Sequence, residues 1–479
     1  MKFNLKNTFV RMILIFSCIM SLLPFCVLMP KTVKAEGREI TVFSWEDYID
    51  ESLLESFTEE TGITVNYYTF AGNEEMYNEV IKNPEACNLL CPSEYMIQKM
   101  QTEGLIKPFT VPETYKENVS PYIDGVFENL GFYTDDGKTY ACGYMWGTMG
   151  FVYNMDRFSA EDLNSWSVIN DPVLKNKVTI KDSVRDTYIM AVGAVYEQEL
   201  EALDPNSPTY NKQLTEIFNS RDDQTVEKVE TFLQSARQNL YGFEVDSGKN
   251  DMITGKIDVN FAWSGDAVYA MDEGDLAGVT LGYTVPNEGS NVWFDGFVMT
   301  KETSDQQEAD CIEFLNYISK PESAVLNMSY IGYTSVIAGE EVYQNVLDWY
   351  GDDEGEVFVD LKYFFDPEDT EGNYIVQTSD SGRQLYAQYA DYETINRCVI
   401  MDNFMPEDLE RINAMWNRVK LITLSNTAII VIVSMLALFV LAFLVYKFRN
   451  VIFRLNDKTP SRKSRKVKNG LKVVKIEKI

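Results

Sequence analysis

The sequence contains no histidine. That absence excludes His-based triads, histidine general bases and most zinc sites. A serine nucleophile elbow, a phosphate-cradling glycine loop and an HExxH pair are missing as well. Cysteine is scarce: of seven, Cys18 and Cys26 fall within the first 35 residues, and the other five cannot all pair. Cys87 and Cys91 stand four positions apart, about 13 Å along an extended chain, too far to bridge. Buried free thiols are the expectation. Basic residues are also few in the body of the chain. Residues 36–446 hold 25 Lys and Arg against 71 Asp and Glu, a net charge of −46 within a chain total of −31. So acidic a body repels nucleic acid and attracts cations. Solubility outside a cell would account for the same charge.

The two ends differ from that body. Lys2, Lys6 and Arg11 precede the apolar run Met12–Met29, and Val33-Lys34-Ala35 closes the stretch. Residues 1–35 therefore read as a secretory leader cleaved after Ala35. Near the other end, 422–446 is an uncharged apolar run about long enough to cross a bilayer. Lys447, Arg449 and Arg454 follow at once, and 447–479 holds twelve basic and two acidic residues. The positive-inside rule predicts a single-pass protein of the cell membrane, with its body outside and a basic cytoplasmic tail.

Between the ends lies a body of alternating strand and helix signals. Thr41–Phe43 reads as a strand. Leu53, Leu54 and Phe57 give helical spacing, Gly62 closes that helix, and Ile63–Phe70 reads as a second strand. This is a βαβ unit, which builds an open α/β sheet. Further helices are predicted over Asn73–Ile81, Met96–Glu103 and Gln306–Ile318. Further strands are predicted at Asn88–Cys91, Thr139–Tyr144, Gly150–Asn154, Val178–Lys181, Ile257–Trp263, Leu281–Val285 and Gly296–Thr300. Met145-Trp146-Gly147-Thr148 and Asn291–Asp295 read as the segments between strands. Asp348–Thr378, acidic and aromatic with poor periodicity, reads as a surface insertion.

One chemical pairing recurs along this body. An aromatic and a carboxylate stand within three residues of each other after a strand: Trp45/Asp47/Tyr48, Trp263/Asp266 and Trp293/Asp295. Ligands of open α/β sheets bind at the carboxyl ends of strands. Asp186 opens a helix after another strand, and Tyr95 and Tyr333 lie in predicted loops. A diamine or polyamine needs such a set, because buried ammonium groups need carboxylates. Its methylenes need flat apolar walls, and tryptophan faces add cation–π attraction. Simpler roles exist for each residue alone: core packing for a Trp, a helix N-terminal acid for Asp186, a helix start for Asp266, a turn for Asp295. Two acids with aromatic platforms would also suit a glycosidase.

The body resembles the spermidine/putrescine-binding proteins of polyamine ABC importers over most of 36–420. The resemblance is carried, in the family's order, by Phe43-Ser44-Trp45-Glu46-Asp47-Tyr48, Leu53–Ile63, Asn73-Glu74-Glu75-Met76-Tyr77, Cys91-Pro92-Ser93-Glu94-Tyr95, Tyr144-Met145-Trp146-Gly147, Trp263-Ser264-Gly265-Asp266, Trp293-Phe294-Asp295 and Ile331-Gly332-Tyr333. It implies an α/β, bilobal periplasmic-binding-protein-like fold of type II with a ligand cleft, here followed by the C-terminal transmembrane helix. By that reading 36–145 and 292–339 form one lobe, and 146–291 and 340–420, with the insertion 348–378, the other. Trp45, Tyr48, Ser93, Tyr95, Trp263, Trp293 and Tyr333 would wall the cleft, and Asp47, Asp186, Asp266 and Asp295 would hold ammonium groups. The implied role is capture of putrescine or spermidine by a monomer, and delivery to an ABC permease and its ATPase. It involves no chemistry, no cofactor, no metal and no nucleic acid. Two departures stand out: Glu46 replaces a small hydroxylic residue, and Ser183 stands where spermidine binders can carry an acid. Another organic cation or metal complex on the same fold, and a ligand-sensing membrane receptor, are the rival readings.

Overall fold

The computed structural model describes residues 37–379, 382–421 and 433–447. The expected leader, the first part of the apolar run and the tail from 448 lie outside the described residues. The chain divides after Val419 into two units. In the second, 433–447 is helical. Among the described residues no helix is long and apolar enough to cross a membrane, so the expected 422–446 span is not supported by the fold.

The first unit opens as its sequence dictates. Strand β1 (Glu39–Trp45) leads to helix α1 (Glu51–Thr61) and strand β2 (Thr64–Phe70), which pairs parallel to β1. The Asp50 carboxylate accepts from the Ser52 amide at the N-terminus of α1, and Gly62 ends the helix with φ 73°. Strand β3 (Leu89–Leu90) adds parallel on the far side of β1.

Farther along come β4 (Ala141–Asn154), β5 (Val178–Lys181), β6 (Gly242–Glu244), β7 (Val259–Trp263), β8 (Leu281–Thr284) and β9 (Ser290–Thr300). The main path of the sheet runs β2-β1-β3-β9-β4-β7-β5-β6, with β8 paired to β4 off that path. It has two similar halves. Strands β2, β1 and β3 are parallel and finish on antiparallel β9. Strands β6, β5 and β7 are parallel and finish on antiparallel β4. The two finishing strands pair with each other, so β4 and β9 tie the halves together. That is the bilobal mixed α/β architecture.

These long strands correct the sequence reading at two points. Met145–Thr148 is not a connection but the middle of β4, and Asn291–Asp295 belongs to β9. Both strands are buried almost throughout, so neither shows the alternation of a half-exposed strand. Gly147 permits the crossing: a Cβ there would come within 2.7 Å of the Trp293 ring and would overlap Ser264 Oγ. The acidic segment 348–378 is not a surface appendage either. Val357–Asp360 and Ile375–Thr378 pair antiparallel, and between them Leu361 and Phe364 are wholly buried. The Phe364 ring stacks on Trp146 with centroids 5.4 Å apart. Tyr363, Phe364 and Phe365 of that segment are buried, while Phe358 and most of its acids are exposed. Cys87, Cys91, Cys142 and Cys311 are buried free thiols, and Cys398 is a half-buried one.

Candidate functional site

The candidate site lies where the two halves of the sheet meet. Helix α2 (Asn73–Lys82) and helix α3 (Glu94–Thr102) come from the first half. Helix α4 (Val184–Val195), after β5, and helix α5 (Ser264–Ala277), after β7, come from the second. Strand β9 crosses between them. Its pairing with β4 slips between Asp295 and Gly296, a bulge that re-aims the Asp295 side chain within an otherwise regular strand.

Asp295 is buried. Tyr48 Oη donates to its Oδ2 at 2.7 Å, and no group completes a hydrogen bond to its Oδ1 among the described residues. Burial pushes the Asp295 carboxyl up to about 7, against the pull of the Tyr48 and Ser93 hydroxyls and with a further push from Asp186. The Tyr48 ring packs edge-on against Tyr144 at 5.5 Å and Tyr333 at 5.1 Å. Tyr144 Oη donates to the Tyr48 carbonyl at 2.7 Å, and Asn327 donates to Tyr144 Oη at 2.8 Å. The position of Tyr48 is thus fixed from both sides. Glu94, wholly buried, accepts from the Phe294 amide at 2.9 Å, and burial lifts its carboxyl to about 8. Asp186 is buried at the first turn of α4, under the Ser183 cap, and burial raises its pKa too.

Ser93 and Tyr95 stand at the start of α3. Asn73 ties them together, donating to Ser93 Oγ at 3.1 Å and Tyr95 Oη at 3.0 Å. The Arg185 guanidinium lies 3.7 Å from the centre of the Tyr95 ring and 4.3 Å from that of Phe404. A cavity of about 540 Å³ opens beside this stack, lined by Glu74, Tyr77, Lys99, Leu409 and Glu410 among others.

The second aromatic–acid pair has a different environment. Asp266 is buried at the N-terminus of α5. Its Oδ1 accepts from Tyr333 Oη at 3.0 Å, and its Oδ2 lies 2.9 Å from Lys181 Nζ. Lys181 Nζ also sits 3.3 Å from Glu244 Oε1 and 4.2 Å from the centre of the Trp263 ring. Burial alone would lower the Lys181 pKa, but Asp266 and Glu244 outweigh it and hold it above the ordinary value. Gly265 makes room for Tyr333, since a Cβ there would overlap the phenol ring. The Tyr333 and Trp293 ring centroids are 5.7 Å apart, and the Trp293 indole donates to the Thr148 carbonyl.

Tyr48, Ser93, Tyr95, Asp186, Asp266, Trp293, Asp295 and Tyr333 thus belong to one connected cluster, buried except for the half-buried Ser93 and Tyr333, with Trp263 reached through Lys181. Trp45 and Asp47 stand outside that network. Trp45 is half-buried and packs on Phe70 at 4.8 Å. Asp47 is exposed with φ 49°, and its field reaches Lys249. Sequence reasoning passed over Glu94, Asn73, Arg185 and Lys181. Glu94 and Asn73 sit inside quoted motifs, yet nothing in their type marked them as buried. Lys181 ends a strand, where a lysine ordinarily reaches solvent.

A family model described as "Bacterial extracellular solute-binding protein" matches residues 52–353. The spermidine/putrescine-binding periplasmic protein of Salmonella typhimurium strain LT2 is 27% identical over 301 residues, covering 62% of this chain and 78% of that protein. The putrescine-binding periplasmic protein PotF of Escherichia coli K12 is 29% identical over 303 residues, covering 61% and 76% respectively. Among solved structures, the spermidine/putrescine ABC transporter substrate-binding protein PotD of Streptococcus pneumoniae, in complex with calcium and HEPES, is 26% identical. It covers 80% of this chain and 98% of that one, with a TM-score of 0.56.

Proposed function

Because the chain belongs to the bacterial extracellular solute-binding proteins, which bind solutes and catalyse nothing, we propose that it captures polyamines for an ABC importer. Putrescine and spermidine are the candidate ligands, as they are for the relatives named above. The observation that carries this reading is Asp295: a buried carboxylate with one oxygen held by Tyr48 and the other without a hydrogen bond among the described residues. Trp293, Tyr333 and Tyr48 stand around it, and Asp186 lies near enough to push its pKa further up. A buried carboxylate left in that state is costly, and an alkylammonium relieves it. The aromatic faces suit the methylenes between ammonium groups. Closure of the halves over the ligand follows when contacts to both form only in the closed state. In this reading Trp45 and Asp47 stand at the rim, and residues 36–145 with 292–339, and 146–291 with 340–420, form the two lobes of a monomer. Calorimetric titration with putrescine and spermidine tests the assignment, and Asp295→Asn is expected to cut affinity at least tenfold.

The same reading places the body outside the cell, held by one C-terminal span over 422–446. Within 433–447, which is too short to cross a bilayer by itself, Met435, Leu438, Phe439, Leu441 and Phe443 are all exposed, on a helix apolar all round. Such a helix is at home in lipid. Retention in the membrane pellet after alkaline carbonate washing is the expected result. Release of the intact chain by that wash would remove the anchor and leave the ligand assignment standing.

A further inference from the structure

The three aromatic–acid pairs look alike in sequence, yet one of them already holds a cation supplied by the chain. Lys181 Nζ lies 2.9 Å from Asp266 Oδ2, 3.3 Å from Glu244 Oε1 and 2.7 Å from the Val245 carbonyl, which it donates to, with the Trp263 ring centre at 4.2 Å. A carboxylate, a further acceptor and an indole face are what a ligand ammonium would need at this place. The three N–H groups of Lys181 meet three acceptors, and the side chain is only 1% exposed. The other oxygen of Asp266 is also engaged, by Tyr333 Oη at 3.0 Å and by Lys249 Nζ at 3.8 Å.

This filled position is continuous with the candidate ligand site. Tyr333 bonds to Asp266 by its hydroxyl and packs by its ring on Trp293 and Tyr48, and Tyr48 bonds to Asp295. Asp186 also feels the positive charge of Lys181. The two ends of the chain of contacts are therefore unequal. The Asp266 end carries Lys181 and Lys249. At the Asp295 end the Arg185 guanidinium lies against Tyr95 and Phe404 and donates to the Asp402 carbonyl, while Asp295 Oδ1 has no hydrogen bond among the described residues.

We propose that Lys181 is a built-in ammonium that occupies the Trp263/Asp266 position and so limits the ligand to one fewer positive charge, favouring a diamine over a triamine. This rests on the polyamine reading above and makes Lys181 its specificity-determining residue. A ligand ammonium that reached Asp266 would meet Lys181 at contact range, and like charges there repel. A merely structural ion pair would contribute to folding and leave selectivity alone.

The experiment is calorimetric titration of the full chain with putrescine and with spermidine, for the unaltered protein, Lys181→Met and the double variant Lys181→Met/Glu244→Gln. Methionine keeps the apolar stem. The double variant removes one negative charge with the positive one, so a fold that does not survive the single change is tested through the second. The unaltered protein should bind putrescine at least tenfold more tightly than spermidine. In either variant that ratio should move at least tenfold toward spermidine. A ratio unmoved in a folded variant, or an unaltered protein that prefers spermidine, overturns the role of Lys181. Binding of neither amine by the unaltered protein overturns the polyamine reading itself, which is a separate result.

Discussion

Asp295 and Tyr48 lie 247 positions apart in sequence, and their 2.7 Å hydrogen bond concentrates the chemistry of the site. With the Asp295 carboxyl raised to about 7 by burial, a proton and a ligand ammonium compete for it. Affinity for a diamine is therefore expected to rise with pH through about 7 and to level off above it, with proton release on binding below that point. Titrations in buffers of different ionisation enthalpy check this. The linkage sign for the unliganded protein is the reverse. The folded state holds the Asp295 proton, and that of Glu94, to higher pH than the unfolded chain does. Stability from these two groups is thus greatest below the usual carboxylate range and falls as pH rises toward about 7 for Asp295 and about 8 for Glu94. Thermal unfolding should show the ligand-induced gain in midpoint growing over the same interval. Much of this was legible: each Trp/Asp pair was visible by spacing. That one of them carries its own lysine was not, because Lys181 and Asp266 are 85 positions apart and meet only through the parallel pairing of β5 and β7.

Elements formed by local rules were the readable ones. The β1-α1-β2 unit follows from its alternation, its Asp50 cap and its Gly62 terminator. Asp50→Ala should cost about 1 kcal/mol in urea unfolding, the ordinary worth of such a cap. Strands β4 and β9 were read as broken because glycine in both, and Asp295 in β9, resemble loop residues. Gly147 in β4 is present for its neighbour, since it admits Trp293, and Gly265 in α5 likewise admits Tyr333. Gly265→Ala would push the Tyr333 ring away from Asp266. The expected cost is about 1–3 kcal/mol of stability, as for other overpacked sites, together with weaker ligand binding. Full affinity in that variant would show that Tyr333 need not hold its place. The segment 348–378 was misread because its aromatics follow neither a helical nor a strand period across its short elements. Phe364→Ala should cost about 3–5 kcal/mol, as for a buried phenylalanine elsewhere, whereas a surface appendage would lose almost nothing.

At the scale of the whole molecule, the bilobal fold was legible through a resemblance spread along the body, and the structure adds how its halves are joined. Two parallel half-sheets end on β4 and β9, and these two strands pair across the centre. A contact made at Asp295 on β9 is therefore one strand away from β4, which also pairs with β7 of the other half. The net charge of −46 over residues 36–446 acts at longer range. It should speed the arrival of cationic ligands, so the association rate measured by stopped-flow fluorescence is expected to fall as salt rises. The dissociation rate, set by contacts within the buried site, should change little.

The central claim is that the buried carboxylate of Asp295 receives an alkylammonium. Calorimetric titration of putrescine into the unaltered chain and into Asp295→Asn at pH 8 tests it most directly. The account predicts sub-millimolar binding to the first and at least tenfold weaker binding to a folded second. Equal affinity in the two proteins, or no binding of putrescine or spermidine to the unaltered chain, would contradict it.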